Sequence, residues 1–312
     1  MSIPGAPPTT LRPTEVVATP VDGVEVLGSL SPSRAADFLN CPLLFRFRTI
    51  DRLPEASSPD AVRGTVVHKV LEDLFDLPAA ERTPERADAL VTPSWEALVE
   101  AEPEIADLFA PGSPEGPDVA TWLLSCRRVL EAYFTLEDPR RLEPAERELY
   151  VESLLESKLL LRGFVDRVDI ASDGAIRIVD YKTGRSPGEG FEAKALFQLK
   201  FYGLVLWRMR GVIPAMLQLV YLGNAEILRY QPDEQDLLAT ERKVEAVWQA
   251  IEAARASGEW LPHRSRLCGW CPHQALCPEF GGTPPPLPEP DQGVRAVTVR
   301  GVRPTAPPAS GH

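Results

Sequence analysis

Lysine is scarce in this chain: six of 312 residues, at positions 69, 158, 182, 194, 200 and 243, and none follows a glycine. A phosphate-gripping loop ending in Gly-Lys is therefore missing, so any ATP-driven step would have to come from a partner. Long apolar runs are missing as well, none reaching the 18 residues that suggest a membrane-spanning helix. The opening MSIPGAPPTT has neither the basic nor the apolar stretch of a secretory signal, so the expected location is the cytoplasm. Positive charge is in deficit, with 33 Lys+Arg against 45 Asp+Glu and a net charge of −12. That balance excludes a protein that coats nucleic acid by bulk charge, and it leaves room for a local basic groove. Cysteine is sparse and odd in number, five in all, which argues against a disulfide framework in a reducing compartment.

Proline is plentiful, 32 residues, about twice the usual share of ~5%. Residues 1–27 and 282–312 are rich in Pro with little apolar surface and read as disordered tails. The working domain is expected over 28–281. Ser31-Pro32 is a helix start, and a second helix is expected from near Gly64. A helical insertion is expected at about 80–145, broken by PGSPEGP at 111–117. Strands follow at 149–155, 159–170 and 175–182, then a helix at 191–210, short strands at 216–222 and 226–230, and a long helix at 233–256. Helices, a run of strands, then helix and strands again predict an α/β sheet with helices packed on it.

Two of the strands carry carboxylates in an unexpected place. In FVDRVDI (164–170), alternation puts Phe164, Asp166, Val168 and Ile170 on one face; in IRIVDYK (176–182) it does the same for Ile176, Ile178, Asp180 and Lys182. A hairpin loop of Ser172-Asp173-Gly174 pairs residues whose numbers sum to 346, so Asp166 falls opposite Asp180. Opposed carboxylates on a buried face need a proton, an arginine or a metal ion. A slipped surface hairpin with both aspartates solvated is the simpler alternative. Asp169, on the other face, reads as a solvated or arginine-paired charge.

Asp166 followed by Asp180-Tyr181-Lys182 resembles the signature of the PD-(D/E)XK nucleases. RGTVVHKVLEDLF with His68, RGFVDRVDI, VDYKTG, and Gln198-x-x-x-Tyr202 in FQLKFYGLV are similar in order and spacing to its RecB-like branch, with Val165 where the eponymous proline would stand. The resemblance implies a restriction-endonuclease-like mixed sheet flanked by helices. It implies a Mg²⁺- or Mn²⁺-dependent DNA exonuclease acting on single-stranded ends in repair or recombination. It makes His68, Asp166, Asp180 and the Tyr181 carbonyl metal ligands, Lys182 the residue that handles the attacking water, and Gln198 and Tyr202 substrate-positioning residues. By themselves His68 reads as a core histidine, Gln198 and Tyr202 as ordinary packing one helical turn apart, and Lys194 and Lys200 as solvated charges or phosphate contacts. A non-catalytic DNA-binding scaffold is the competing class, and so is a nuclease subunit active only with a separate helicase; loss of Asp166, Asp180 or Lys182 would mark the scaffold, and all three are present.

Cys268-Gly-Trp-Cys271 and Cys277 form C-x2-C-x5-C, with Cys41 far upstream. Four thiolates suit zinc or an iron–sulfur cluster, and His263 or His273 could complete a zinc site. A single distant cysteine followed by a trio resembles the AddB-type nucleases and CRISPR adaptation exonucleases. That resemblance implies that Cys41, Cys268, Cys271 and Cys277 hold a 4Fe-4S cluster joining the two ends of the domain. Such a junction would gather Arg46, Arg48 and Arg52 near His263, Arg264 and Arg266 as a basic rim for single-stranded DNA. Cys126, among leucines, reads as a buried thiol.

Overall fold

The computed structural model describes residues 21–110, 117–186, 188, 192–288 and 295–299. Strands β1 (Val21–Val26) and β2 (Gly28–Leu30) lead to α1 (Pro32–Asn40) and α2 (Pro42–Phe45), which runs into a π-helical turn, Arg46–Ile50. The Ser31 hydroxyl caps α1 by accepting the Arg34 N–H, with Pro32 in the first turn. The same Ser-Pro device opens α3 (Pro59–Leu74) at Ser58, a full turn before Gly64. α4 (Pro84–Ala101) and α5 (Val119–Leu136) form the helical insertion. Then come β3 (Glu146–Leu154), β4 (Leu159–Ile170), β5 (Ile176–Lys182), α6 (Glu192–Arg210), β6 (Met216–Tyr221), β7 (Glu226–Tyr230), α7 (Glu234–Ser257) and β8 (Arg295–Val299).

Six strands make one mixed sheet in the order β2-β4-β5-β6-β7, with β3 also on β4. β4 is its organiser. β3 runs antiparallel along one edge of β4, from Leu160 to Val168. The opposite edge is shared: β2 pairs in parallel with Leu159–Leu161, and β5 pairs antiparallel with Arg167–Ile170. Between those two partners the edge of residues 162–166 is left open, a notch in the sheet. The β4–β5 ladder runs Arg167↔Val179 through Ile170↔Ile176, every pair summing to 346.

Helices cover both faces, each over its own core. α1, α6 and α7 pack with Leu161, Val168, Ile176 and Ile178 on one side. On the other, α3, α4 and α5 pack with Val179, Tyr181, Val220 and Leu222. Each fully buried Val or Leu in these layers contributes about 1.5–3 kcal/mol, and Val66, Val67, Val70, Leu71 and Leu74 of α3 are all buried. The alternation expected in β4 breaks at one place. Phe164 is 55% exposed while Val165 joins the core of Leu161 and Val168. The break lies across from Glu148, which holds a left-handed φ of 43° and falls between the pairs Arg147↔Arg167 and Leu149↔Val165. Twisting the backbone there changes which residues face inward.

The terminal segments carry more order than their composition suggests. β1 and β8 pair antiparallel, both being rich in Val, and the Pro285 carbonyl accepts a hydrogen bond from buried Arg46. Residues 1–20 and 300–312, in the two expected tails, lie outside the described residues.

Candidate active site

The notch gathers the side chains that sequence spacing singles out. Asp166 comes from its β4 edge, Asp180 and Lys182 from β5, His68 from the middle of α3 on one face, and Gln198 and Tyr202 from α6 on the other. Asp180, only 3% exposed, is closed into a ring: Lys182 Nζ lies 2.6 Å from Oδ2, Gln198 Nε2 donates to Oδ1 at 2.9 Å, and Lys182 Nζ donates to Gln198 Oε1 at 3.0 Å. Tyr202, one turn beyond Gln198, interacts with its side chain. The Tyr202 ring lies over Gly163, where a Cβ would stand 2.7 Å from it; the absence of a side chain at 163 lets the ring into the notch.

Asp166 accepts the Tyr181 N–H at 2.7 Å and lies 3.5 Å from His68 Nδ1. His68 Nε2 is 3.1 Å from the Tyr181 carbonyl. A carbonyl only accepts, so Nε2 carries the proton and the Nδ1 lone pair faces the carboxylates. Burial pushes the His68 pKa down, against the pull of Asp180, which favours the neutral ring. Burial and the neighbouring Asp180 charge raise Asp166 well above the usual carboxylate range.

The residue that sequence reasoning missed is Glu148. The β3–β4 register, with pairs summing to 314 on either side, sets it across from Asp166. His68, Glu148 and Asp166 are the only group among the described residues with three metal-ligating atoms within 4.8 Å of one another. Burial, then Glu72 and Asp180, raise the Glu148 pKa. The donor set fits a hard divalent cation: carboxylate oxygens in excess of positive charge, a neutral imidazole, and the second lone pair of the Tyr181 carbonyl.

Several expected contacts are absent. Arg46 is buried and paired with Asp51 at 3.0 Å, and Arg48 binds Asp37 and Glu55, both at 2.7 Å. Neither is available to a basic rim, because neighbouring acids hold them first. Lys200 is held by Asp236 at 2.9 Å and lies 4.1 Å over the Tyr230 ring; the Lys194 side chain lies outside the described residues. Asp169 is arginine-paired, with Arg167 at 3.1 Å and Arg177 at 2.8 Å.

The second constellation joins the domain's ends. Cys41, Cys268, Cys271 and Cys277 line one small cavity of about 50 Å³, and all four are free thiols. Cys271 feels the charge of the other three. Backbone N–H groups point at the sulfurs: His263 to Cys41 and Ser265 to Cys268, each at 3.3 Å, and His273 to Cys271. No three of the thiols lie within 4.8 Å of one another. His273 Nε2 bonds Glu55 at 2.7 Å. Cys126 is buried, and burial raises its thiol pKa to about 11.

The sequence profile of the PD-(D/E)XK nuclease superfamily matches residues 29–278. The chain belongs to this superfamily. Two curated relatives are the Gene 69 proteins of mycobacteriophages. That of phage L5 is 28% identical over 124 residues, covering 38% of this chain and 40% of the relative. That of phage D29 is 42% identical over 65 residues, 21% of each chain. The chain thus spans well under half the length of either relative. A solved structure from Eubacterium rectale, named for a candidate exonuclease, shares the superfamily fold at a TM-score of 0.53 and 15% identity, covering 78% of this chain and 87% of that one. Among the described residues, no helix is long and apolar enough to cross a membrane.

Proposed function

We propose that this PD-(D/E)XK protein is a divalent-metal-dependent DNA exonuclease that hydrolyses phosphodiester bonds at single-stranded ends. The observation that carries the reading is the Asp180–Lys182–Gln198 ring beside Asp166, Glu148 and His68 in an open notch. Asp166, Asp180, Glu148, His68 through Nδ1 and the Tyr181 carbonyl would hold the cation. Bound there, Mg²⁺ or Mn²⁺ supplies Lewis-acid charge on the scissile phosphate and lowers the pKa of a bound water. Lys182 orients the attacking water and stabilises negative charge on the phosphate oxygens, with its amine fixed by Asp180 and Gln198. The water oxygen bonds to phosphorus as the ester oxygen leaves with its electron pair and takes up a proton. Gln198 and Tyr202 position the strand at the notch. Repair or recombination is the pathway that such an activity serves, with any duplex unwinding left to a separate helicase.

The four cysteines are proposed to hold a 4Fe-4S cluster. The gathering of all four around one cavity, with N–H groups directed at the sulfurs, supports it. Anaerobically purified protein is expected to be brown, with broad absorption near ~400 nm from thiolate-to-iron charge transfer, and Cys268→Ser is expected to remove the colour. A colourless, zinc-loaded protein would replace the cluster with zinc.

The activity is tested by digesting end-labelled single-stranded DNA with Mg²⁺ or Mn²⁺, beside Asp180→Asn. Metal-dependent loss of label by the wild type alone supports the reading. Binding of DNA without cleavage, by folded and metal-loaded protein, would leave a scaffold.

A further inference from the structure

We infer that the cleft beside the notch seats a single strand of DNA, with Arg34 and Arg162 on its phosphates and Phe164 with Tyr150 stacking a base. The inference rests on the nuclease reading and extends it to how the strand is held.

The cleft has a volume of about 490 Å³, and Gln198 and Tyr202 form part of its wall. Since Gln198 also bonds Asp180 and Lys182, a strand whose reacting phosphate lies in the notch continues directly into the cleft. Arg34 from α1, Tyr150 from β3, and Arg162 and Phe164 from β4 form the rest of the wall that matters.

Charge is the first argument. Arg34 and Arg162 both line the cleft, and after burial the Arg162 guanidinium charge lowers the Arg34 pKa. Among the described residues, Arg34 has no ion-pair partner, whereas Arg46, Arg48, Arg82 and Arg167 are all paired. Arg162 bonds the Tyr150 phenol, whose hydroxyl also donates to Glu152 at 2.8 Å. Two guanidinium groups against the one Glu152 carboxylate leave the wall net positive in a protein of net charge −12. Gathering like charges with too few counter-ions costs folding energy, and a polyanion on the wall would return it.

The aromatic pair is the second, independent argument. Phe164 and Tyr150 stand with ring centroids 5.2 Å apart and planes at 57°, and both are exposed. The break in β4 alternation turns Phe164 outward while its neighbour Val165 is buried. Exposed rings beside a positively charged wall are the furniture of sequence-tolerant single-strand sites, where unpaired bases offer their π faces. In a duplex those faces are stacked away, which is why the occupant is a single strand.

The test is the binding of a fluorescein-labelled 20-nucleotide oligothymidine in EDTA, read by anisotropy at several salt concentrations. Arg34→Gln with Arg162→Gln should weaken binding and flatten the plot of log K against log salt by about 1.4, at ~0.7 per phosphate contact on a single strand. Phe164→Ala should weaken binding about tenfold and leave the slope alone. Thymidine 5′-(p-nitrophenyl phosphate), too short to reach the cleft, should be hydrolysed with Mn²⁺ at the wild-type rate by both variants, provided their melting temperatures are unchanged. Oligothymidine binding that stays at wild-type strength in both variants overturns the cleft. Equal losses on a blunt duplex overturn the choice of a single strand. A wild type that hydrolyses neither oligomer nor ester overturns the nuclease reading instead, and the anisotropy still decides the cleft.

Discussion

Asp166 and Arg167 are neighbours on β4, as Asp180 and Tyr181 are on β5, yet each pair is split between two opposite electrostatic designs. On one face Glu148, Asp166 and Asp180 gather at the notch with Lys182 on Asp180, and burial with neighbouring carboxylate charge raises the pKa values of Glu148 and Asp166. On the other, Arg167 is 1% exposed and fully engaged: Glu137 at 2.8 Å, Asp169 at 3.1 Å and the Tyr181 hydroxyl, with Arg177 shared by Asp169. The balanced face holds the strands together. The unbalanced face is left wanting a cation, and proteins retain such imbalance mainly where it serves a function.

The comparison is tested most severely by exchanging what each face lacks. Lys182→Ala should lower the rate of DNA cleavage by about 10²- to 10⁴-fold, with a smaller loss of stability than at Arg167, since Gln198 still donates to Asp180. A variant that melts early but still cleaves would assign Lys182 to structure. Arg167→Met should do the reverse. It strands Glu137 in the core, so urea denaturation should show a loss of about 3–5 kcal/mol; a loss near zero would mean that the network is solvated.

Metal should act on one face only. At one hundred times its Kd, Mg²⁺ or Mn²⁺ is expected to stabilise the wild type by about 2.7 kcal/mol and to leave Asp166→Asn almost unshifted in the same thermal melts. In EDTA the order should invert, with Asp166→Asn slightly more stable than the wild type. A carboxyl whose pKa is raised by folding costs stability at neutral pH, and the amide can still accept the Tyr181 N–H. The smallest effect belongs to Glu137. Burial pushes its pKa up, but the Arg167 hydrogen bond and charge more than offset this and hold it below 4.5. Its contribution is present above the unfolded pKa and is lost as pH falls through the lower, folded value. Denaturation curves below pH 4.5 should therefore converge for the wild type and Glu137→Gln.

How far the site was legible from sequence turns on its turns. The β4–β5 hairpin advertises itself with Ser172-Asp173-Gly174, and its register follows by arithmetic because Gly174 takes the left-handed φ of 86°. The β3–β4 turn offers the same arithmetic, since Leu155 donates to Leu159 and 155 + 159 = 314 sets Glu148 across from Asp166. It stays hidden because its left-handed position, φ 61°, is filled by Lys158 and no glycine marks it. Phe164 was misplaced because strict alternation does not anticipate the twist at Glu148. The arginine rim failed for another reason: a charge shows its type in sequence, but its partner only in space, as Asp37 and Glu55 show for Arg48. The order of strands and helices was legible because periodicity and Ser-Pro caps are local. The pairing of β1 with β8, which joins segments far apart in the chain, was not.

The open edge of β4 at residues 162–166 has a consequence for how this protein behaves among its own copies. An unpaired strand edge invites another chain to add a strand. Here the stretch is bounded on both sides by β2 and β5 and lies beneath Tyr202 and Pro32, which pack at Gly163. A foreign strand would meet only a few residues of edge, at or below the length of an ordinary strand, with an aromatic ring across the middle. The protein can thus hold backbone open for its substrate in a place where aggregation finds no template.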